Sequence, residues 1–132
     1  MLRGVRGATT AEANTREAIL AATHELLYLM IEANHIQPDD VASVIFTTTI
    51  DLNADYPALA ARALGWHDVA LMCMHEMHVP DGLKQCIRIL LHWNTEVAAR
   101  DVKHVYIRGA INLRPDRAFS LNELSGQLPN GG

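Results

Sequence analysis

The sequence is poor in cysteine, in aromatic residues and in long hydrophobic runs, and each shortage excludes a class of protein. Two cysteines among 132 residues are too few for a disulfide framework and suit a reducing compartment. No stretch of about 18 uncharged apolar residues is available to cross a membrane as a helix. Aromatic residues are only 5% and the formal net charge is −4, so a surface for nucleic acid or for an anionic membrane is not expected.

The sequence does contain enough apolar residues for one folded domain. Apolar residues make up 49% of the chain and charged residues 20%. The one shift in composition comes after Pro115, where the chain turns polar and ends in Gly131 and Gly132. We therefore expect a single domain over residues 1–117 and a flexible tail over residues 118–132. The first residues lack the apolar segment of a signal peptide, so we expect a cytoplasmic protein.

Hydrophobic periodicity predicts strands interleaved with two helices. A long helix with one apolar stripe begins at a capping box of Asn14 and Glu17 and runs to about residue 34. A short helix, Ala58–Leu64, follows Pro57 and ends at Gly65. Five segments are predicted to be strands: Leu2–Thr10, Val44–Thr48, Val69–Met74, Ile87–Trp93 and His104–Arg108. This arrangement is typical of an α/β or α+β domain built on a mixed β-sheet.

Arginine supplies nine of the 11 basic residues, and two arginines lie inside predicted strands. Arg88 stands in the middle of the most apolar strand, and Arg6 lies between Gly4 and Gly7 in the first strand. An unpaired guanidinium buried in such a position would cost several kcal/mol. Two interpretations are open: a structural ion pair with a buried carboxylate, or a clamp for a small anion, which suits the planar fork of arginine donors.

The segment Met72–His78 carries several groups that could do chemistry. Glu76 follows a predicted strand, where it is either a solvated loop residue or a hydrogen-bond acceptor in a site. Cys73 is either a nucleophile or a buried apolar thiol. Together with His75 and His78 it suggests a metal, but the His-Glu-x-His spacing is one residue short of the zinc-binding His-Glu-x-x-His motif. We therefore predict no metal site.

Motifs for covalent catalysis and for phosphate binding are missing. The sequence has no Gly-x-Ser-x-Gly elbow, no glycine-rich phosphate loop followed by Lys-Ser/Thr and no dinucleotide fingerprint. The residues by themselves thus indicate a domain that binds a small anion, or one that drives a reaction through positioning and electrostatics.

Several separate strings form a specific pattern from residue 2 to about residue 117. They occur in order and without obvious gaps: Arg3–Thr10, Cys73–Met77, Leu83–Arg88, His104–Tyr106 and Leu113–Asp116. Together they resemble the small monofunctional chorismate mutases of the trimeric α/β class, which differ from the all-helical class. The resemblance implies a homotrimer with a barrel-like core and with active sites in clefts between neighbouring subunits.

The resemblance also implies the reaction. Chorismate mutases convert chorismate to prephenate, the branch step toward phenylalanine and tyrosine, by a unimolecular Claisen rearrangement. This reaction needs no covalent intermediate, metal ion or coenzyme, which agrees with the missing motifs. Chorismate is then the expected small-molecule substrate, and neither a cofactor nor a nucleic-acid or membrane partner is expected.

Matching the motif positions implies roles for two sets of residues. The first set is expected around the reacting atoms: Arg88, Glu76, Arg6, Cys73 and Tyr106. Arg88 would face the ether oxygen and a carboxylate, and Glu76 would accept a hydrogen bond from the ring hydroxyl. Arg6 and Tyr106 would each hold a carboxylate, with Cys73 nearby. The second set is expected to bind the substrate along its ring and at the pocket mouth: Tyr56, Arg62, Met72, Leu113 and Arg114.

Three positions depart from the pattern expected of the family. Leu59 stands where lysine is frequent, Tyr56 where phenylalanine is common and Met72 where threonine can occur. The first change removes a cation from the pocket mouth. None of the three touches Arg88 or Glu76, so the expected chemistry is retained.

Two other functions are alternatives at this point. One is a non-catalytic trimer that binds a small carboxylate metabolite, and the other is a metal-dependent hydrolase that uses Cys73, His75 and His78. Turnover of chorismate separates both from a mutase, and sensitivity to a chelator marks the hydrolase.

Overall fold

The computed structural model describes residues 1–113 and 118–119, which form one mixed β-sheet with two helices. The helices are α1, Arg16–Asn34, and α2, Leu59–Ala63. The strands are β1 Leu2–Thr10, β2 Val41–Thr48, β3 Ala70–His75, β4 Cys86–Asn94, β5 His104–Tyr106 and β6 Ala118–Phe119. The predicted fold class is confirmed. The division into a domain over 1–117 and a tail over 118–132 stays a prediction, because most of the tail lies outside the described residues.

The sheet has the strand order β3-β2-β4-β1-β5-β6, with the antiparallel pair of β1 and β4 at its centre. That pair is in continuous register from Leu2 opposite Asn94 to Thr10 opposite Cys86. β2 is also antiparallel to β4, whereas β3, β5 and β6 are each parallel to their partners β2, β1 and β5. The two longest strands therefore form a rigid centre for the sheet.

The two faces of the sheet differ because side chains alternate along each strand. On the helix face, where α1 and α2 pack, Val5, Phe46 and Leu91 are fully buried against Leu26 and Met30 of α1. Burying each such side chain contributes about 1.5–3 kcal/mol. α1 has 19 residues, but among the described residues no helix combines the length and apolar content needed to cross a membrane.

The opposite side is called the open face here, because neither helix covers it. It carries the side chains that alternate with the buried ones, among them Ile45, Thr47, Arg88 and Leu90, which are partly or largely exposed. The predicted alternation of β4, with Arg88 on the face opposite Ile89, is therefore confirmed.

The start of α1 differs from the predicted capping box. The N-cap is Thr15, whose Oγ1 accepts a hydrogen bond from the Ala18 backbone N–H at 3.1 Å. Asn14 instead accepts hydrogen bonds from the backbone N–H groups of Asn53 and Ala54, at 2.9 and 3.0 Å. Adjacent Asn and Thr can both cap a helix. The loop after β2 engages the asparagine, so the threonine becomes the cap.

β5 ends at Tyr106 rather than at Arg108, because Arg108 has a φ of 51°, in the left-handed region. A strand cannot continue through that conformation. The chain instead enters a 3₁₀ turn, Arg108–Ala110, and Arg108 donates two hydrogen bonds to Glu25 of α1, at 2.7 and 2.8 Å. These bonds hold the pKa of the Glu25 carboxyl below its usual range.

Gly7 of β1 lies directly beneath side chains of α1. A Cβ atom placed there would lie 2.5 Å from Met30 Sδ and 3.0 Å from Leu26 Cδ1. Gly7 therefore makes room for side chains of the helix. Packing of α1 onto the sheet depends on the absence of a side chain at this position.

Gly7→Ala is expected to lower the free energy of unfolding by about 1–3 kcal/mol, because the added methyl group overpacks the contact with Met30. Chemical denaturation at fixed protein concentration measures the loss. In a Met30→Ala background the space is already empty, so Gly7→Ala should there cost much less. An equal loss in both backgrounds would show that the clash with Met30 is not the cause.

Candidate active site

Two cavities on the same side of the molecule meet at Glu76 and Arg88. The larger, about 600 Å³, extends from these residues along the loop between β3 and β4. The smaller, about 300 Å³, lies on the open face and is also lined by Arg6, Tyr106 and Thr47. A carboxylate and a guanidinium thus stand at the junction of two spaces, each large enough for part of a small organic molecule.

Arg88 reaches this junction because it occupies an open-face position of β4. Its side chain is 45% exposed, and its Nε lies 3.6 Å from Oε2 of Glu76. The buried, unpaired guanidinium considered from the sequence therefore does not occur in the chain. Arg88 does have a carboxylate partner, as the ion-pair interpretation requires, but that partner is Glu76, which is itself a predicted site residue.

Glu76 is the first residue after β3, and two neighbouring residues of β2 hold it. Its backbone N–H donates to the Thr48 carbonyl at 2.8 Å, and its Oε2 accepts a hydrogen bond from the Thr47 hydroxyl at 2.5 Å. The side chain is 32% exposed. Glu76 is therefore an oriented acceptor just after the end of a strand and not a freely solvated loop residue, and its role in a site stays a prediction.

Arg6 and Tyr106 come from adjacent parallel strands. β1 pairs with β5 so that Ala8 lies opposite Tyr106, which brings Tyr106 beside the open-face position of Arg6. The Arg6 backbone N–H donates to Nδ1 of His104 at 3.0 Å, and Tyr106 is almost fully buried. Both residues line the smaller cavity with Arg88. The fold thus brings Arg6, Glu76, Arg88 and Tyr106 together.

A second group of predicted residues lies elsewhere in the chain, around α2 and β3. Cys73 packs against the core on the helix face, whereas Met72 beside it is 58% exposed. Tyr56 precedes α2 and is 69% exposed, and Arg62 lies on α2 close to Cys73. None of the four lines either cavity that contains Arg88. Within one chain, the two groups do not form a single site.

The thiol of Cys73 is in an environment that favours its protonated form. Burial raises the pKa of this thiol, and a backbone hydrogen bond at Ala58 and the charge of Arg62 oppose the rise only in part. A thiolate is the reactive form of cysteine. The geometry therefore fits the buried apolar thiol better than the nucleophile.

The remaining predicted residues lie near the ends of the described chain. Leu113 packs against Ala8, Tyr106 and Ala110. It therefore borders the residues at the cleft, which are Arg6, Glu76, Arg88 and Tyr106. Arg114 lies outside the described residues, and its place at the pocket mouth stays a prediction. Leu59, where the family often has lysine, begins α2 and thus belongs to the same region as the second group.

The alternative function, a metal-dependent hydrolase, requires three metal ligands grouped in one place. Among residues 1–113 and 118–119, no three His, Cys, Asp or Glu side chains are grouped so that they could hold a metal ion. His75 directs its Nδ1 toward the hydroxyl and carbonyl oxygens of Thr48, at 3.2 and 3.3 Å. The hydrolase that would use Cys73, His75 and His78 therefore gains no support from the geometry.

Two polar contacts at the cleft were not predicted from the sequence. Thr47 lies opposite Arg88 in the β2–β4 ladder and contacts Glu76. At the start of β4, the Asp51 carboxylate accepts from the Gln85 backbone N–H at 3.0 Å, and a hydrogen bond from Thr49 holds the pKa of Asp51 below its usual range. The strand register, which the sequence alone does not give, is the signal that would have identified Thr47.

Comparison with known proteins identifies the family of this chain. A family model described as chorismate mutase type I matches residues 2–117. Chorismate mutase AroH of Bacillus subtilis is 46% identical over 123 residues, which are 92% of this chain and 97% of that protein. Chorismate mutase AroH of Thermus thermophilus is 51% identical over 117 residues, which are 88% of this chain and 96% of that protein.

The fold is also similar to a solved structure. A chorismate mutase from Clostridium thermocellum superimposes with a TM-score of 0.80 at 50% sequence identity, covering 81% of this chain and 96% of that one. The family match spans all of the strings on which the resemblance rested. The chain belongs to the chorismate mutase type I family.

Proposed function

We propose that the cleft at Glu76 and Arg88 is where this member of the family converts chorismate to prephenate, the branch step toward phenylalanine and tyrosine. The observation that carries the proposal is the position of the two opposite charges, which lie 3.6 Å apart at the junction of two cavities. Arg6 and Tyr106 add a cation and a phenol at the edge of the same space. A dianion with a ring hydroxyl has a complementary partner for each of its polar groups here.

The first contribution of the cleft is positioning. Chorismate must leave its extended form and fold into a compact, chair-like conformer before the bonds can shift. Arg6 and Tyr106 hold a carboxylate and Glu76 accepts a hydrogen bond from the ring hydroxyl, so binding selects that conformer. Ordering reactants in this way can remove several kcal/mol from a barrier.

The second contribution is electrostatic. The C–O bond breaks ahead of C–C bond formation, so negative charge grows on the ether oxygen in the transition state. A fixed guanidinium beside that oxygen interacts more strongly with the transition state than with the substrate, which is the condition for a higher kcat. Arg88 holds this position in the proposal, with Glu76 and the β4 backbone limiting its movement.

The two cysteines fit a reaction without a covalent intermediate. Burial raises the pKa of both the Cys73 and the Cys86 thiol, so both are protonated near neutral pH. The rearrangement is unimolecular and requires no coenzyme or metal ion.

Both cysteines are also free, which supports a cytoplasmic location for the protein.

A homotrimer would unite the two groups of residues in one active site. Tyr56, Arg62, Met72 and Cys73 surround β3, which is an edge strand of the sheet, whereas Arg6, Glu76, Arg88 and Tyr106 lie on the open face. Apolar side chains also lie on the open face at β3, where Met72 is 58% exposed and Met74 is 44% exposed. An exposed apolar surface of this kind is typical of a subunit interface. The proposal therefore places each active site between neighbouring subunits.

Arg88→Ala is expected to lower kcat at least about 10²–10³-fold, because the developing charge on the ether oxygen loses its cation. Arg88→Lys keeps the charge but loses the planar fork and should recover only part of the rate. Ultraviolet absorbance follows the loss of chorismate, and gel filtration checks that the oligomer is unchanged. Activity of Arg88→Ala within tenfold of the unchanged protein, about 1.4 kcal/mol, would refute the assignment.

A mixing experiment tests the shared active site. Arg88→Ala damages the open-face group and Arg62→Glu damages the group around α2, so each variant alone should have little activity. In mixed trimers made by co-expression, about a quarter of the interfaces unite two intact halves, and activity should return to about that fraction. If both groups act within one subunit, mixing the two variants restores nothing.

A further inference from the structure

We infer that Thr47 is a positioning residue for the reaction, because its hydroxyl holds one oxygen of Glu76 and leaves the other for the ring hydroxyl of chorismate. The inference rests on the proposed role of Glu76. The Thr47 hydroxyl lies 2.5 Å from Oε2, and it is the closest hydrogen-bond partner of that carboxylate among the described residues. Thr47 itself does not contact the reacting atoms in this proposal.

The hydroxyl is itself held in place by the sheet. Thr47 is an interior residue of β2, with Met74 of β3 on one side and Arg88 of β4 on the other. Its β-branched side chain has few rotamers available. The adjacent residue, Thr48, binds the Glu76 backbone N–H at 2.8 Å. Two consecutive residues of one strand therefore fix both the backbone and the carboxylate of Glu76.

The same hydrogen bond limits the pairing of Glu76 with Arg88. The distance of 3.6 Å between Arg88 Nε and Glu76 Oε2 exceeds that of a direct hydrogen bond. A carboxylate and a guanidinium that are free to move tend to form a short, bidentate pair. By occupying Oε2, Thr47 prevents the carboxylate from turning fully onto Arg88. Both charges then remain available to the substrate.

Removal of the hydroxyl separates this role from a packing role. Thr47→Val keeps the shape of the side chain and is expected to lower kcat/KM about ten- to hundredfold, the scale of a hydrogen bond to a charged group. Part of the loss should be in kcat, because Arg88 becomes paired with Glu76. Thr47→Ser restores a hydroxyl and should return kcat/KM to within about threefold of the unchanged protein.

Ser43→Ala is the matched control for this experiment. Ser43 lies on β2 and on the same face, and its hydroxyl is 2.9 Å from His92 Nδ1, away from Glu76. Loss of this hydroxyl should leave kcat/KM within about twofold. A fall as large as that of Thr47→Val would mean that any lost hydroxyl on this face disturbs the enzyme, which overturns the inference.

A double-mutant cycle shows whether Thr47 acts through Glu76. In a Glu76→Ala background there is no carboxylate to orient, so adding Thr47→Val should change kcat/KM by less than about twofold. An equal loss in both backgrounds, or no loss from Thr47→Val in the otherwise unchanged protein, overturns the inference. The proposed site at Glu76 and Arg88 fails separately, if Glu76→Ala and Arg88→Ala both keep normal turnover of chorismate.

Discussion

The separation between the Glu76 carboxylate and the Arg88 guanidinium is the constraint on which the site depends. At 3.6 Å the charges attract each other without forming a direct hydrogen bond. A closer pair would neutralise both groups, and a wider one would leave an uncompensated charge in a partly covered cleft. The strand ladder contributes to this distance, since β2 lies between β4, which carries Arg88, and β3, which Glu76 directly follows.

One-sided packing makes this arrangement accessible. Large apolar side chains such as Phe46, Ile89 and Leu91 fill the space under α1 and α2, so the helix face is a closed core. The alternating positions carry Thr47 and Arg88 on the open face, where polar chemistry does not compete with core packing. A strand buried on both faces could not present a guanidinium to a small anion without a large desolvation cost. In the proposed mechanism, stability and catalysis therefore use opposite sides of one sheet.

The separation of the site residues into two groups has a structural consequence. Cys73 and Arg62 lie beside the edge strand β3, while Arg6 and Tyr106 belong to strands on the other side of β4. Cys73 packs on the helix face and Arg62 lies on α2, so the backbone of the sheet separates both from the open face of the same chain. In a symmetric ring of subunits, one surface of each chain meets a different surface of the next. The proposal of a homotrimer with active sites between subunits rests on this separation.

The sequence by itself determined the local structure and the family. Alternating apolar residues predicted the faces of β4, and the five predicted strands and two helices are present, because these features depend on neighbours along the chain. Only the tertiary structure decided that Thr15 caps α1, that β5 ends at Tyr106 and that Thr47 meets Glu76. Each of these depends on contacts between residues distant in sequence, and strand register and loop position are not encoded in any local pattern.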